Sequence, residues 1–255
     1  MISAKPGSSN ELFIKNPHSI MAALSSRPKD VIEIVFPREK NEEWANIEVM
    51  AQQNKVRVRN LQADDRALRD RKNHGKAPIG RESSHGAAIR PKAPISIEKC
   101  FAGIEANTRG VWLALDCLQY PQNLGAIFRS AAFFGVKGIL ITTERSAPMT
   151  STVYDIASGG VDAIPHVMVI NLKQAFEKAK EAGLWILGTS EHAKQSLKQV
   201  KADRPWLLVV GNEEKGIRRL TEEGCDVMCS VPPVGDVVTS LNVSVATGIL
   251  LNHLC

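Results

Sequence analysis

Leu207-Leu208-Val209-Val210-Gly211-Asn212-Glu213-Glu214-Lys215-Gly216 decides how the rest of the chain is read. Four apolar residues without alternation form a strand covered on both faces. Two glycines then permit a tight turn that carries an amide and a carboxylate. A second strand follows over residues 227–231, ended by Pro232-Pro233 and a loop around Gly235-Asp236. After Ser240-Leu241-Asn242 comes a helix with Val243, Ala246, Thr247, Leu250, Leu251 and Leu254 on one face, the spacing of a helix packed on one side. Two strand-end loops and a helix start thus carry polar groups side by side. In an open α/β sheet, ligands bind in the crevice beyond such strand ends.

Working back from this stretch, the chain alternates strands and helices. Residues 112–116 read as a buried strand. Asn123, preceded by Pro121, reads as a helix N-cap. Leu124, Ile127, Phe128 and Ala131 supply the buried stripe of that helix. A strand over residues 138–142 follows, then a short helix that includes Tyr154 to Ala157 and ends at Gly159-Gly160. Residues 166–170 form a strand, residues 172–182 a helix and residues 184–188 a strand. This order predicts an α/β domain with a mainly parallel sheet and right-handed crossovers. No G-x-G-x-x-G follows the first strand and no GxxxxGK[ST] occurs, so a dinucleotide enzyme, a Rossmann-type methyltransferase and a P-loop ATPase are poorly supported.

The N-terminal part reads as a smaller α/β unit. Residues 1–10 read as a flexible lead. A helix over residues 16–24, a strand over 31–36, a helix over 42–53 and a strand over 56–58, its two valines on one face, make up the unit. Between Arg66 and Lys92 there are eight Lys/Arg against Asp70 and Glu82. That stretch is either a mobile solvated loop or an arm that grips phosphates. The expected organisation is a lead over residues 1–10, the small unit over 11–94, a connection over 95–110 and the larger domain over 111–255.

Composition sets the outer bounds. A net charge of +5 and a pI near 9.0 over 255 residues favour an acidic partner, nucleic acid among them. With 5% aromatic residues, no stacking platform for single strands is advertised. The five cysteines (Cys100, Cys117, Cys225, Cys229 and Cys255) are odd in number and follow no secretory leader, which argues against a disulfide framework. Cys225 and Cys229 have a spacing that suits a metal, but no second Cys/His pair stands nearby; buried structural thiols and no metal site are expected. No apolar run approaches the ~20 residues that span a bilayer. The N-terminus has no hydrophobic core of a signal peptide, and a cytoplasmic protein is expected.

Three segments carry a resemblance. Asn123-Leu124-Gly125-Ala126-Ile127-Phe128-Arg129, Gly211-Asn212-Glu213-Glu214-Lys215-Gly216-Ile217 and Ser240-Leu241-Asn242-Val243-Ser244-Val245-Ala246 resemble, in order, the signature motifs of the SpoU/TrmH class of RNA ribose 2′-O-methyltransferases, members of the knotted SPOUT superfamily. The resemblance implies a deep C-terminal trefoil knot, one of the rare exceptions to unknotted chains. It also implies S-adenosylmethionine as cofactor, a homodimer formed through the C-terminal domain, and a ribosomal-protein-like N-terminal module that binds the RNA. Ser84-His85-Gly86 stands where that module often has a His-plus-Gly turn; His85 is equally readable as an ordinary turn residue. The N-terminal module and the wording of residues 240–251 resemble the ribosomal-RNA guanosine group more than the transfer-RNA group. A transfer-RNA methyltransferase and a non-catalytic knotted RNA-binding assembly factor are the alternatives.

By the same resemblance, Gly211, Val231 and Leu241, with Thr189 and Asn212, contact the cofactor. Asn123, Arg129, Glu213, Ser240 and Asn242 form the catalytic pocket. Each has a plainer reading: a helix cap for Asn123, Ser240 and Asn242, a turn carboxylate for Glu213, a solvated side chain for Arg129. Methyl transfer to a ribose hydroxyl is an in-line displacement that needs alignment and removal of a proton. Arginine stays protonated, so a general-base role for Arg129 is chemically awkward. Binding the phosphate beside the target ribose and polarising its hydroxyl suits it better. The loop over residues 233–239 is one residue longer than in the ribosomal-RNA guanosine group, which bears on the register of Val231.

Overall fold

The computed structural model describes residues 11–61, 84–105 and 107–255. The lead expected over residues 1–10 and the basic stretch as far as residue 83 lie outside the described residues. Packing divides the chain into two units, Met1–Lys92 and Ala93–Cys255.

The first unit holds β1 (Leu12–Ile14), α1 (Pro17–Ser26), β2 (Val31–Phe36), α2 (Glu42–Gln53), β3 (Arg57–Asn60) and β4 (Gly86–Ile89). The sheet order is β1-β4-β2-β3, with β3 parallel to β2 and β4 antiparallel to both its neighbours. Asn16 starts α1 by accepting from the His18 and Ser19 amides, ahead of Pro17 at the first helical position. Asn41 starts α2 by accepting from the Trp44 amide, and Glu42 and Glu43 suit the positive end of the helix dipole. Ile20, Leu24, Ile34, Phe36, Ile47 and Ile89 fill the core. Two strands, β1 and β4, escape a sequence reading because three or four residues are too few to show a period. The strand expected over residues 56–58 is the edge strand β3, where Val58 is 47% exposed and packs no core face. The His85 ring stands edge-on to Trp44 at 5.4 Å.

The second unit runs α3 (Ile97–Cys100), β5 (Gly110–Leu115), α4 (Pro121–Phe133), β6 (Ile139–Thr142), α5 (Ser151–Ala157), α6 (Gly160–Ala163) and β7 (His166–Val169). It continues with α7 (Leu172–Glu181), β8 (Trp185–Thr189), β9 (Gln195–Ser196), β10 (Pro205–Val210), α8 (Arg219–Glu222), β11 (Val227–Ser230) and α9 (Val243–Leu254). Seven strands in the order β7-β6-β5-β10-β8-β11-β9 form one sheet, and every pairing in it is parallel. Both faces are covered, which is why β10 is buried along its whole length and shows no alternation. On one face Trp112, Ala114, Leu140, Leu207 and Val209 pack with Leu172, Ala175, Phe176 and Ala179 of α7. On the other face α4 and α9 pack together beside β5.

Three details differ from the sequence reading. Gly160 opens α6 instead of closing the preceding helix, because the left-handed Ser158 and Gly159 turn the chain between the two. Much of the segment expected as a connection belongs to the second unit. Cys100 and Phe101 are buried in its core, and the Ile95 amide donates to the His166 carbonyl at 2.9 Å. The third is the start of α4, which lies at Pro121 and not after Asn123. Among the described residues, no helix is long and apolar enough to cross a membrane.

What matters for the site is the place of β10. It lies between β5 and β8, both earlier in the sequence. Because all these strands are parallel, the segments that follow β5, β8, β10 and β11 collect at one edge of the sheet.

Candidate active site

The segment after β10 is a small closed loop. The Asn212 and Gly216 backbones exchange two hydrogen bonds of 2.9 Å, and the Asn212 Oδ1 accepts from the Glu214 and Lys215 amides at 3.0 and 3.1 Å. Gly211 is required here: a Cβ at this position would stand 2.1 Å from the Gly216 carbonyl carbon. The loop directs the Glu213 carboxylate at the start of α4. There it accepts from the Gln119 amide (3.3 Å), the Tyr120 amide (3.4 Å), the Asn123 Nδ2 (2.9 Å) and the Asn212 Nδ2 (3.3 Å). A carboxylate beside unsatisfied amides at a helix N-terminus is favoured by both the hydrogen bonds and the helix dipole. Four donors occupy about the four lone-pair positions a carboxylate offers.

This geometry corrects the reading of Asn123. The helix begins at Pro121 with Tyr120 as its N-cap, and Asn123 lies inside the first turn. Its side chain is therefore free for another task. While its Nδ2 donates to Glu213, its Oδ1 accepts from the Asn242 Nδ2 at 3.0 Å. Asn242 is the N-cap of α9, its Oδ1 accepting from the Ser244 amide at 2.9 Å and the Ser244 hydroxyl at 2.6 Å. Ser244, Asn242, Asn123 and Glu213 thus form one directed chain of donors ending on a negative charge. Such chains polarise each member in the same sense.

A second tie holds the same loop from its far end. The Asp116 carboxylate, fully buried at the end of β5, accepts from the Arg218 amide (3.1 Å) and Nε (2.8 Å) and pairs with its Nη2 (2.7 Å). Burial opposes the charge on Arg218, but the bond to Asp116 outweighs it and the guanidinium pKa is raised. Asn212 meanwhile donates to the Cys117 carbonyl at 2.9 Å. Cys117 has a left-handed backbone (φ 60°), and its amide donates to the Thr142 hydroxyl at 3.0 Å. Burial first, then the Asp116 charge, push its thiol pKa up.

Thr189, Gly211 and Val231 stand at or just beyond the ends of three neighbouring strands, β8, β10 and β11. The Thr189 hydroxyl donates to the Val209 carbonyl at 3.0 Å. Residues 232–241 are exposed throughout and make no backbone hydrogen bond among the described residues, and Leu241 is 48% exposed. An adenine edge calls for unpaired backbone donors and acceptors next to apolar side chains, and this loop offers both. The residues present fit a nucleoside cofactor.

The structure therefore brings Asn123, Asn212, Glu213 and Asn242 into direct contact and sets Thr189, Gly211 and Val231 along one sheet edge. It does not join Arg129 or Ser240 to them. Both side chains are exposed and, among the described residues, neither has a hydrogen-bond partner. Ser240 precedes the cap of α9 without capping it. Cys100 and Cys229 are buried and Cys225 partly so; burial raises their thiol pKa values to about 11, 11 and 12 in that order. Among the described residues, no cluster of three or more His, Cys, Asp or Glu is placed to hold a metal. Sequence reading missed Asp116 and Arg218, which lie 102 positions apart and carry no local signal. It also missed the demand on Gly125, where a Cβ would approach the Val153 carbonyl to 2.8 Å.

Comparison with known proteins bears on the chain's kinship. The model of the SpoU rRNA Methylase family matches residues 110–252, a span that includes all three motifs. A 23S rRNA (guanosine-2'-O-)-methyltransferase RlmB of Nitrosomonas europaea is 34% identical over 94% of this chain and 89% of its own length. The Pseudomonas aeruginosa protein of the same name is 39% identical over 67% of this chain and 70% of its own. Among solved structures, the SpoU methyltransferase AviRb of Streptomyces viridochromogenes superposes with a TM-score of 0.77 at 18% identity, covering 96% of this chain and 88% of that one. A likeness at that identity speaks for the fold; the motifs and the closer relatives speak for kinship. On these grounds the chain belongs to the SpoU rRNA Methylase family.

Proposed function

We propose that this protein methylates a ribose 2′-hydroxyl of RNA with S-adenosylmethionine, and that its target is a guanosine of large-subunit ribosomal RNA. The observation that carries the reading is the chain of hydrogen bonds joining Asn242, Asn123 and Glu213, three residues drawn from the three family motifs. Relatives at 34% and 39% identity named for 23S rRNA guanosine support the choice of substrate. A 2′-hydroxyl is what separates RNA from DNA at such a site.

The cofactor supplies a methyl group on a sulfonium, held by the backbone around Thr189, Gly211, Asn212, Val231 and Leu241. Glu213, already saturated with donors, positions Asn123 and takes no proton. Asn123 and Asn242, with Ser240 nearby in sequence, orient the target ribose. Arg129 binds the adjoining phosphate and stabilises negative charge as it develops on the sugar oxygen. With Arg129 cationic and Glu213 saturated, the proton acceptor lies outside these groups.

The chain passes through a deep trefoil knot in the second unit, and the stretch over residues 11–94, nearly all of it in the first unit, is the RNA-binding module. The protein works in the cytoplasm as a homodimer. Val245 and Ile249 on α9 (51% and 39% exposed), one turn apart, form an apolar patch that a twin chain would cover. Replacing Ile249 by Glu is expected to convert a dimer to a monomer in light scattering. The test of the whole reading is transfer of labelled methyl to ribosomal RNA from a strain lacking the gene, followed by mapping of the 2′-O-methyl site. No incorporation, with S-adenosylhomocysteine failing to bind in calorimetry, would leave a non-catalytic RNA-binding protein. A site in transfer RNA would move the enzyme to the other branch.

A further inference from the structure

The hydrogen-bonded residues described above account for the polar floor of the site but leave two prominent side chains beside it unused. Tyr120 immediately precedes α4, and its amide donates to Glu213. Its ring is 47% exposed and, among the described residues, makes no ring contact or side-chain hydrogen bond. The other tyrosine, Tyr154, is fully buried. An exposed aromatic ring costs hydration, and one fixed by its own backbone to a reaction site is well placed to stack on a planar ligand.

The second side chain is Arg145, in the turn after β6. This turn is stitched to the same segment: the Ala147 amide donates to the Leu118 carbonyl, the Ser146 hydroxyl bonds that of Thr142 at 2.7 Å, and Thr142 in turn accepts from the Cys117 amide. Residues 117–120 are thus held between the 142–147 turn on one side and the 212–213 loop on the other. Arg145 has φ 57°, a left-handed conformation that is uncommon and costly for a residue other than glycine. Its side chain is exposed and, among the described residues, has no ion pair or hydrogen bond. Its neighbour Glu144 lies near enough to Arg218 to favour the charged form there.

We propose that Tyr120 and Arg145 form a nucleotide-holding subsite, the ring stacking on the base of the RNA nucleotide to be methylated and the guanidinium binding a phosphate of the same strand. This deepens the RNA methyltransferase reading and rests on it. The pairing of one ring with one cation, each on a held stretch of backbone and with its side chain unengaged among the described residues, matches what a flipped-out nucleotide presents: a flat base and a charged linker. It also fits a chain with few aromatics, since one stacking residue serves a single nucleotide.

The test uses the protein over residues 1–255 and ribosomal RNA isolated from a strain lacking the gene. Methyl transfer, filter binding of the RNA over a salt series, and S-adenosylhomocysteine calorimetry are measured together. Tyr120→Ala is expected to raise the RNA Kd and KM roughly 10-fold, the usual worth of one stacked base, while Tyr120→Phe stays near wild type because stacking needs only the ring. Arg145→Ala is expected to reduce the slope of log K against log salt by about 0.7, one phosphate on a single strand, and Arg145→Lys to keep it. Arg145→Gly relieves the strained backbone, so it should melt no lower than wild type and still lose the slope. All these variants should bind S-adenosylhomocysteine as wild type does. Wild-type RNA affinity in Tyr120→Ala, equal loss in Tyr120→Phe, or an unchanged slope in Arg145→Ala would overturn the subsite. Wild-type protein that binds the RNA without methylating it would sink the methyl-transfer reading, while the binding measurements still judge these two residues.

Discussion

Two loops leave the same edge of the seven-stranded sheet and differ in how they are held. Residues 211–218 are tied at both ends: Asn212 to the Cys117 carbonyl, Arg218 to the buried Asp116, with Glu213 between them gripping the start of α4. Residues 232–241 have no backbone hydrogen bond among the described residues, and Val234, Val237 and Val238 are exposed. Under the proposed function, the difference is a division of labour. A group that must orient a reacting sugar has to be rigid before the substrate arrives. A loop that must wrap a cofactor, or meet a second chain, keeps its donors and apolar side chains uncommitted until then.

The comparison can be tested in decreasing order of effect. Arg129→Ala should lower methyl transfer by roughly 10²–10³-fold, the usual loss when one donor to developing charge is removed. S-adenosylhomocysteine binding should be retained, since among the described residues no hydrogen bond or ion pair ties Arg129 to the loops. Unchanged turnover would take Arg129 out of the site. Glu213→Gln should be nearly as damaging to activity. Its amide NH₂ would face groups that themselves donate, so the rigid loop should also lose about 1–3 kcal/mol of stability, read from urea unfolding. If activity fell while stability held, Glu213 would be acting on substrate directly and not as an anchor.

Arg218→Ala leaves the Asp116 charge buried without its partner. Removing one member of a buried pair costs about 3–5 kcal/mol; because the Arg218 side chain is 43% exposed and partly solvated, about 2 kcal/mol is expected here. For the untied loop, S-adenosylhomocysteine should slow proteolytic cleavage within residues 232–241 and leave 211–218 as protected as before. Equal protection of both would erase the contrast.

The smallest effect is alkaline. Burial holds the Cys225 thiol at about 12 and those of Cys100 and Cys229 at about 11, against 9.0 in the unfolded chain. Raised folded-state values mean that the unfolded state loses protons first. Stability from these thiols is complete below about pH 9 and declines as pH rises through 11–12. Cys229→Ala should flatten that decline in thermal melts, and an unaltered curve would show that burial of this thiol carries no linkage.

Much of the molecule was legible in advance because local chemistry and burial agree there. Residues 31–36 and 42–53 read as a strand and a helix from their own pattern, and so they fold. The stripe on α9 is legible for the same reason: Val243, Thr247, Leu250, Leu251 and Leu254 are all buried. Asn123 shows where such reading stops. Its type and its position after a proline point to a cap, yet Pro121 itself starts the helix and releases the amide side chain toward Glu213 and Asn242. The N-terminal strands β1 and β4 were hidden because their pairing is long-range and their length is below one readable period.

The sequence by itself determined the alternation of strands and helices, the wholly apolar β10, and the order of the three polar motifs, because periodicity and glycine placement act over a few residues. Only the tertiary structure decided that β10 inserts between β5 and β8, and that Asp116 meets Arg218 across 102 positions and Asn123 meets Asn242 across 119. Those contacts depend on which strand ends lie side by side. Strand order is set by the packing of both sheet faces at once, which no local pattern encodes.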